Sequence, residues 1–150
     1  METNSLEETQ LRLNYELSLY REQISMIKRE TERISLTTID LTNALKTVEN
    51  MKQDKVMIPI GGGALILGTI TDDNVLVPIG AQYLTEMNRE TAVTEMNRRI
   101  DATKQAVEKL TVEFDKIVKK LKVVSAQLME IQNQSKLSRT VDDNIREDYR

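Results

Sequence analysis

The chain has 150 residues, of which 30% are charged and only 3% aromatic, and its net charge is −3. One domain's length with one Phe and no Trp cannot build the ring-dominated core of an ordinary globule, and so small and mixed a charge argues for neither a nucleic-acid nor a membrane surface. The absence of Cys and His excludes disulfides, thiol chemistry, cysteine metal sites, and the commonest general base and metal ligand.

The opening stretch METNSLEETQ has neither a basic n-region nor an apolar h-region, so no signal peptide is expected there. The default reading is a soluble, cytoplasmic protein. A first helical arm is expected over about residues 5–53. Leu6, Leu13, Tyr20, Ile27, Ile34, Leu41 and Val48 recur every seven residues and are all apolar. Taken as d positions, they place Gln10, Leu17, Ile24, Thr31, Thr38 and Leu45 at a. This is a coiled-coil pattern, with two threonines that weaken the seam locally. Ser5 and Glu8 have the spacing of a capping box. Leu11, Leu19 and Met26 lie off the seam. They are either scattered surface apolars or an adaptable apolar face.

The heptads stop at an island over residues 55–87 that holds all five glycines and both prolines. VMIPIG at 56–61 repeats as VLVPIG at 75–80, nineteen residues on. Each copy is a β-branched run closed by glycine, the signature of a strand followed by a turn. Further strands are expected over 64–70 and 82–87, with an acidic turn TDDN at 71–74. The result is two β-hairpins. Pro59 and Pro78 fit strands left unpaired on one side. GGGALILG is not a phosphate loop, because no Lys-Ser/Thr follows the last glycine and a strand follows instead of a helix. The uncharged stretch 56–71 is 16 residues, too short and too broken to span a membrane as a helix. Two isolated hairpins are marginal in water. The residues Val56, Ile58, Ile60, Leu65, Leu67, Ile70, Val75, Val77 and Ile79 are therefore expected to drive assembly with other chains.

A second arm is expected over about residues 88–140, starting from Asn88 as N-cap with Glu90 in the first turn. Its a positions are Val93, Ile100, Val107, Phe114, Leu121, Leu128 and Ser135, and its d positions Met96, Thr103, Leu110, Ile117, Val124, Ile131 and Ser138. The seam turns polar at Ser135 and Ser138. Beyond it, residues 141–150 form a tail whose apolar residues are Val141, Ile145 and Tyr149. Lys116, Lys119, Lys120 and Lys122 form a basic patch, read as a solvated flank rather than a nucleic-acid site. The short connector lets the arms fold back antiparallel, bringing Leu6 near 131–138. No catalytic constellation appears, and no metal or cofactor is expected. The fold class is α+β, mainly α: a long antiparallel intramolecular coiled coil with two β-hairpins at one end.

With VMIPIGGGALILGTITDDNVLVPIGAQYLTEM between its two arms, the chain resembles the alpha subunits of archaeal prefoldin, the two-hairpin class. The likeness spans nearly the whole chain in architecture and is most specific over residues 56–87. This sequence departs from the family at Leu67, where an aromatic residue is frequent, and at Ala81 and Gln82, where a glycine is frequent. The resemblance implies an ATP-independent chaperone whose hairpins join those of beta-type subunits in a β-barrel platform, two alpha with four beta. It also implies arms whose tips hold unfolded polypeptides and deliver them to a group II chaperonin. Leu6, Leu11, Val141 and Ile145 are the candidate client contacts. The rival reading is a structural coiled-coil protein that polymerises through its hairpins into a filament or spacer.

Overall fold

The computed structural model describes the backbone of residues 2–147 and the side chains of residues 6–136. The element order is α1 (Glu2–Asn50), β1 (Lys55–Gly61), β2 (Ala64–Thr69), β3 (Val75–Gly80), β4 (Tyr83–Met87) and α2 (Arg89–Glu147). Helix α1 begins earlier than the capping box implies: Ser5 is already helical, so it is not an N-cap. The cap expected for α2 is present. Asn88 Oδ1 accepts a bond from the Thr91 amide at 2.8 Å, satisfying one of the free amides of the first turn.

The chain divides into two compact units, residues 1–32 with 108–150 and residues 33–107. In the first, Leu13, Leu17 and Val124 form a buried cluster, with Tyr20, Leu121, Leu128 and Ile131 packed on it. In the second, Val48, Ala92, Met96 and Val77 form another, flanked by Ala44, Leu45, Val75, Met87 and Val93. In each unit rising numbers on α1 meet falling numbers on α2, so the helices pack antiparallel. The heptad pattern accounts for which residues turn inward. Every a and d position from Gln10 to Val48, and from Val93 to Ser135, is buried or half-buried.

The strands form two separate two-stranded antiparallel sheets, β1 with β2 and β3 with β4. Both hairpins share one design. Pro59 faces Leu65 and Gly61 faces Ala64, with a register shift between Pro59 and Gly61. Pro78 faces Leu84 and Gly80 faces Tyr83, with a shift between Pro78 and Gly80. The internal repeat thus encodes a strand, a bulge and a tight turn twice. The two residues at the first turn, Gly62 and Gly63, have φ of 59° and 78°, and those at the second, Ala81 and Gln82, have 46° and 65°. Positive φ at both central positions suits the right-handed twist of a hairpin. Glycine adopts it freely, whereas Ala81 and Gln82 do so against their side chains.

Hydrogen bonds tie off the segments between elements. The Ile70 amide donates to the Asp54 carbonyl at 3.1 Å. In the acidic turn the Asn74 amide donates to Asp72 Oδ1 at 3.0 Å, and Asn74 Nδ2 donates to Glu86 Oε1 on β4 at 3.0 Å. The Arg89 guanidinium donates to the Glu49 carbonyl at the end of α1.

Candidate interaction surfaces

The two hairpins differ in how they use their apolar residues. On β3 and β4, alternation puts Val75, Val77, Thr85 and Met87 on one face. Val77 is 1% exposed and joins Val48, Ala92 and Met96 in the core, with Val75 and Met87 packed on that cluster. These residues seat the second hairpin on its own helices. Val77 and Val75 are therefore occupied within the chain rather than offered to another one. The opposite face leaves Leu76 and Leu84 exposed, and Ile79 and Tyr83 are exposed near the turn.

On β1 and β2 the pairing places Met57, Pro59, Leu65 and Leu67 on one face and Val56, Ile58, Ile66 and Gly68 on the other. Large apolar side chains are exposed on both faces: Met57 at 68% and Leu67 at 74%, with Ile58, Leu65 and Ile66 about half exposed and Ile60 near the turn also exposed. Val56 and Ile70 are half-buried. Each strand is paired on one side only. An isolated hairpin with apolar side chains on both faces is marginal in water. Full burial of such a side chain is worth roughly 1.5–3 kcal/mol. Met57, Ile66, Leu76, Tyr83 and Leu84 were not singled out by the strand patterns. For Met57 and Ile66 the alternation with the residues that were singled out carried the signal, since the first hairpin is open on both faces; Leu76 and Leu84 lie on the outward face of the second.

In the first unit, the candidate client contacts stand as follows. Leu6, a d position, is 39% exposed, whereas Leu13, the next d, is 4% exposed. Leu11 is 70% exposed. The side chains of Val141 and Ile145 lie outside the described residues. Leu11 does not stand alone: Tyr15, Leu19 and Met26 are also exposed. At spacings of four, eight and fifteen from Leu11, they line the side of α1 turned away from Leu13 and Leu17. Tyr15 was the member that seam spacing did not reveal.

Two open grooves run between the helices of this unit. One, of about 310 Å³, is lined by Thr9, Arg12 and Leu13 on α1 and Gln127, Glu130, Ile131 and Gln134 on α2. The other, of about 340 Å³, is lined by Ile27, Lys28, Thr31, Glu32, Thr111 and Phe114. It lies where Thr31 stands at an a position in place of a larger apolar residue. Lys28 Nζ sits 5.8 Å from the centroid of the Phe114 ring, a cation–π distance.

Charge clusters in the second unit are structural. Glu95 accepts two bonds from Arg98, each at 2.8 Å, and one from Arg99 at 2.6 Å. The Arg98 bonds first, then that of Arg99, hold the Glu95 carboxyl down at about 2. Among the described residues no group of acidic side chains could hold a metal ion. No helix among them is long and apolar enough to cross a membrane.

This arrangement of helix, two hairpins and helix has known counterparts. The prefoldin-subunit family model matches residues 20–134. The prefoldin subunit alpha of Pyrococcus horikoshii is 23% identical over 133 residues, covering 85% of this chain and 90% of that one. Among solved structures, a chain of the filamentous PFD of Methanocaldococcus jannaschii matches with a TM-score of 0.65 and 21% identity, over 76% of this chain and 98% of that one. The prefoldin beta subunit of Thermococcus strain KS-1 matches with a TM-score of 0.57 and 17% identity, over 81% of this chain and 90% of that one. The structural likenesses speak to the fold. The family match spans both hairpins and most of both helices, so the chain belongs to the prefoldin family, on its alpha-subunit side.

Proposed function

We propose that this chain is an alpha-type subunit of an ATP-independent holding chaperone. It assembles through its hairpins with beta-type subunits, two alpha with four beta, binds unfolded polypeptides at the ends of its arms, and passes them to a group II chaperonin in the cytoplasm. The observation that carries the assembly half is the first hairpin, with Met57, Ile58, Leu65, Ile66 and Leu67 exposed across both of its faces. Partner strands would cover those faces and complete the open edges. The client half is supported by Leu6 and Leu11 near the start of α1, 39% and 70% exposed, from which Tyr15, Leu19 and Met26 continue an exposed apolar side of the helix. Leucine, tyrosine and methionine on a helix side form an adaptable surface rather than a shaped pocket, as a binder of many sequences requires. Several arms acting on one client would add avidity.

The test is a chain lacking residues 1–11 and 139–150, mixed with a beta-type subunit and assayed for suppression of client aggregation. The expected result is a particle of unchanged mass with protection abolished. Equal protection by the truncated chain would refute the assignment of client binding to the arm ends. Particle mass also separates this reading from a homomeric filament: a closed hexamer formed only with the partner supports it, and an open-ended series formed by the chain alone overturns it.

A further inference from the structure

We propose that the outward face of α2 between Val112 and Val123 is a docking surface for an acidic polypeptide segment with an apolar residue at each end. Val112, Lys116, Lys119, Lys120 and Val123 have spacings of four, seven, eight and eleven from the first, which puts them on one side of a helix. All five are exposed, and the two valines are 54% and 57% exposed. The seam residues of the same stretch, Phe114, Ile117, Leu121 and Val124, are buried or half-buried. The face therefore reads valine, three lysines, valine, flanked by exposed Glu113 and Asp115 and, farther round, Lys122.

Over residues 112–123 its charge is net positive, with Lys116, Lys119, Lys120 and Lys122 against Glu113 and Asp115. Elsewhere on the helix Glu95 binds Arg98 and Arg99. On this face only Lys116 has a partner, Glu113 at 3.3 Å. Lys119, Lys120 and Lys122 make no ion pair among the described residues. Asp115, one turn before Lys119, does not bridge to it. The pairs 116 with 119, 116 with 120 and 119 with 122 set like charges one turn apart, which costs helix stability. A flank serving only solubility would be as soluble with mixed signs and would avoid that cost. An anionic partner turns the repulsion into attraction.

Two features select a polypeptide over a nucleic acid. The face carries no aromatic ring for base stacking; the nearest, Phe114, is half-buried with Lys28 over its ring. Its ends are exposed aliphatic side chains, which match apolar anchors rather than phosphates. Val112 and Val123 lie about 16 Å apart by helical rise. In an extended segment only residues an even number of steps apart share a face, and about six steps cover that distance, which leaves five acidic residues between the two anchors.

The probe is a fluorescein-labelled peptide Leu-Glu-Glu-Glu-Glu-Glu-Leu, with anisotropy measured against the full chain assembled with its partner subunit. Binding is expected to weaken about tenfold in Lys119→Glu/Lys120→Glu/Lys122→Glu and as salt is raised. It is expected to weaken severalfold in Val112→Ser/Val123→Ser and with a peptide carrying Ser in place of Leu. Circular dichroism confirms that each variant remains helical. Unchanged binding in the triple-lysine variant overturns the proposal. So does a thymidine oligonucleotide of equal charge that competes as well as the peptide while the valine variant binds normally, because the ligand is then nucleic acid. Client protection by the arm ends is a separate readout, and its loss or retention leaves this result intact.

Discussion

Thr38 and Thr103 meet across the helices of the second unit, Oγ1 to Oγ1, at 2.8 Å. They occupy an a and a d position that leucine or valine fills elsewhere in the seam. The Thr103 hydroxyl donates to the Ile100 carbonyl at 2.8 Å, so in this contact Thr38 is the donor and Thr103 the acceptor. Thr38 Oγ1 also lies 2.9 Å from the Ile34 carbonyl. The pair forms a satisfied polar layer inside an apolar seam, and such layers fix helix register at some expense in stability.

For this pair, Thr38→Val or Thr103→Val alone is expected to lower stability by about 1 kcal/mol, because each removes one side of a half-buried hydrogen bond. The double variant, with two aliphatic groups of the same shape, is expected to recover that loss or exceed the parent. A double-mutant cycle in urea reads the coupling. Additive losses would show that the two hydroxyls do not depend on each other.

Val77 and Leu67 occupy similar strand patterns, yet one is 1% and the other 74% exposed. Val77→Ala is expected to destabilise the folded subunit by about 2 kcal/mol through lost transfer energy and a cavity beside Ala92 and Met96. Leu67→Ser is expected to leave the isolated subunit's stability within about 0.5 kcal/mol and to weaken assembly. Thermal unfolding of the subunit and sedimentation with a beta-type subunit separate the two effects.

The turn at Ala81 and Gln82 holds two side-chain-bearing residues at positive φ. Ala81→Asn with Gln82→Gly supplies the residues that such a turn favours. The replacement is expected to raise stability by about 1 kcal/mol, the gain from relieved left-handed strain less the greater freedom of glycine in the unfolded chain. Urea midpoints at constant slope measure it. Gly62 and Gly63 already meet this requirement in the first hairpin.

Glu95 titrates at about 2 instead of 4.5 because Arg98 and Arg99 hold its carboxylate. A folded-state value below the unfolded one adds stability at pH above about 4.5, and that contribution is lost as pH falls from there toward about 2. The melting temperature of the parent is expected to exceed that of Glu95→Gln by a constant margin near neutrality. The margin should close as pH drops through that window. A margin that persists unchanged in acid would mean that the variant loses packing rather than charge.

Much of this fold was legible because its signals are local. The seven-residue spacing of Leu13, Tyr20 and Ile27 already states which side of a helix turns inward, since helix geometry converts spacing into direction. The repeated Pro-Ile-Gly placed both hairpins, because strand end and turn depend on a few adjacent residues, while the bulges appeared only in the pairing. The start of α1 was less legible: Ser5 and Glu8 have the spacing of a cap, but nothing in that spacing says whether the chain before it is already helical.

The sequence by itself determined two heptad helices, two hairpins, and where one gives way to the other. Only the tertiary structure decided which apolar residues remain open. Val77 and Ile58 are both β-branched residues in proline-containing strands, and local pattern treats them alike. The helices pack against one face of the second hairpin and thereby bury Val77, while Ile58 stays about half exposed on the first. Likewise Leu11, Tyr15 and Leu19 became a surface only once Leu13 and Leu17 had turned to Val124. Burial is a property of what lies opposite a side chain, and that neighbour is supplied by residues far away in the chain.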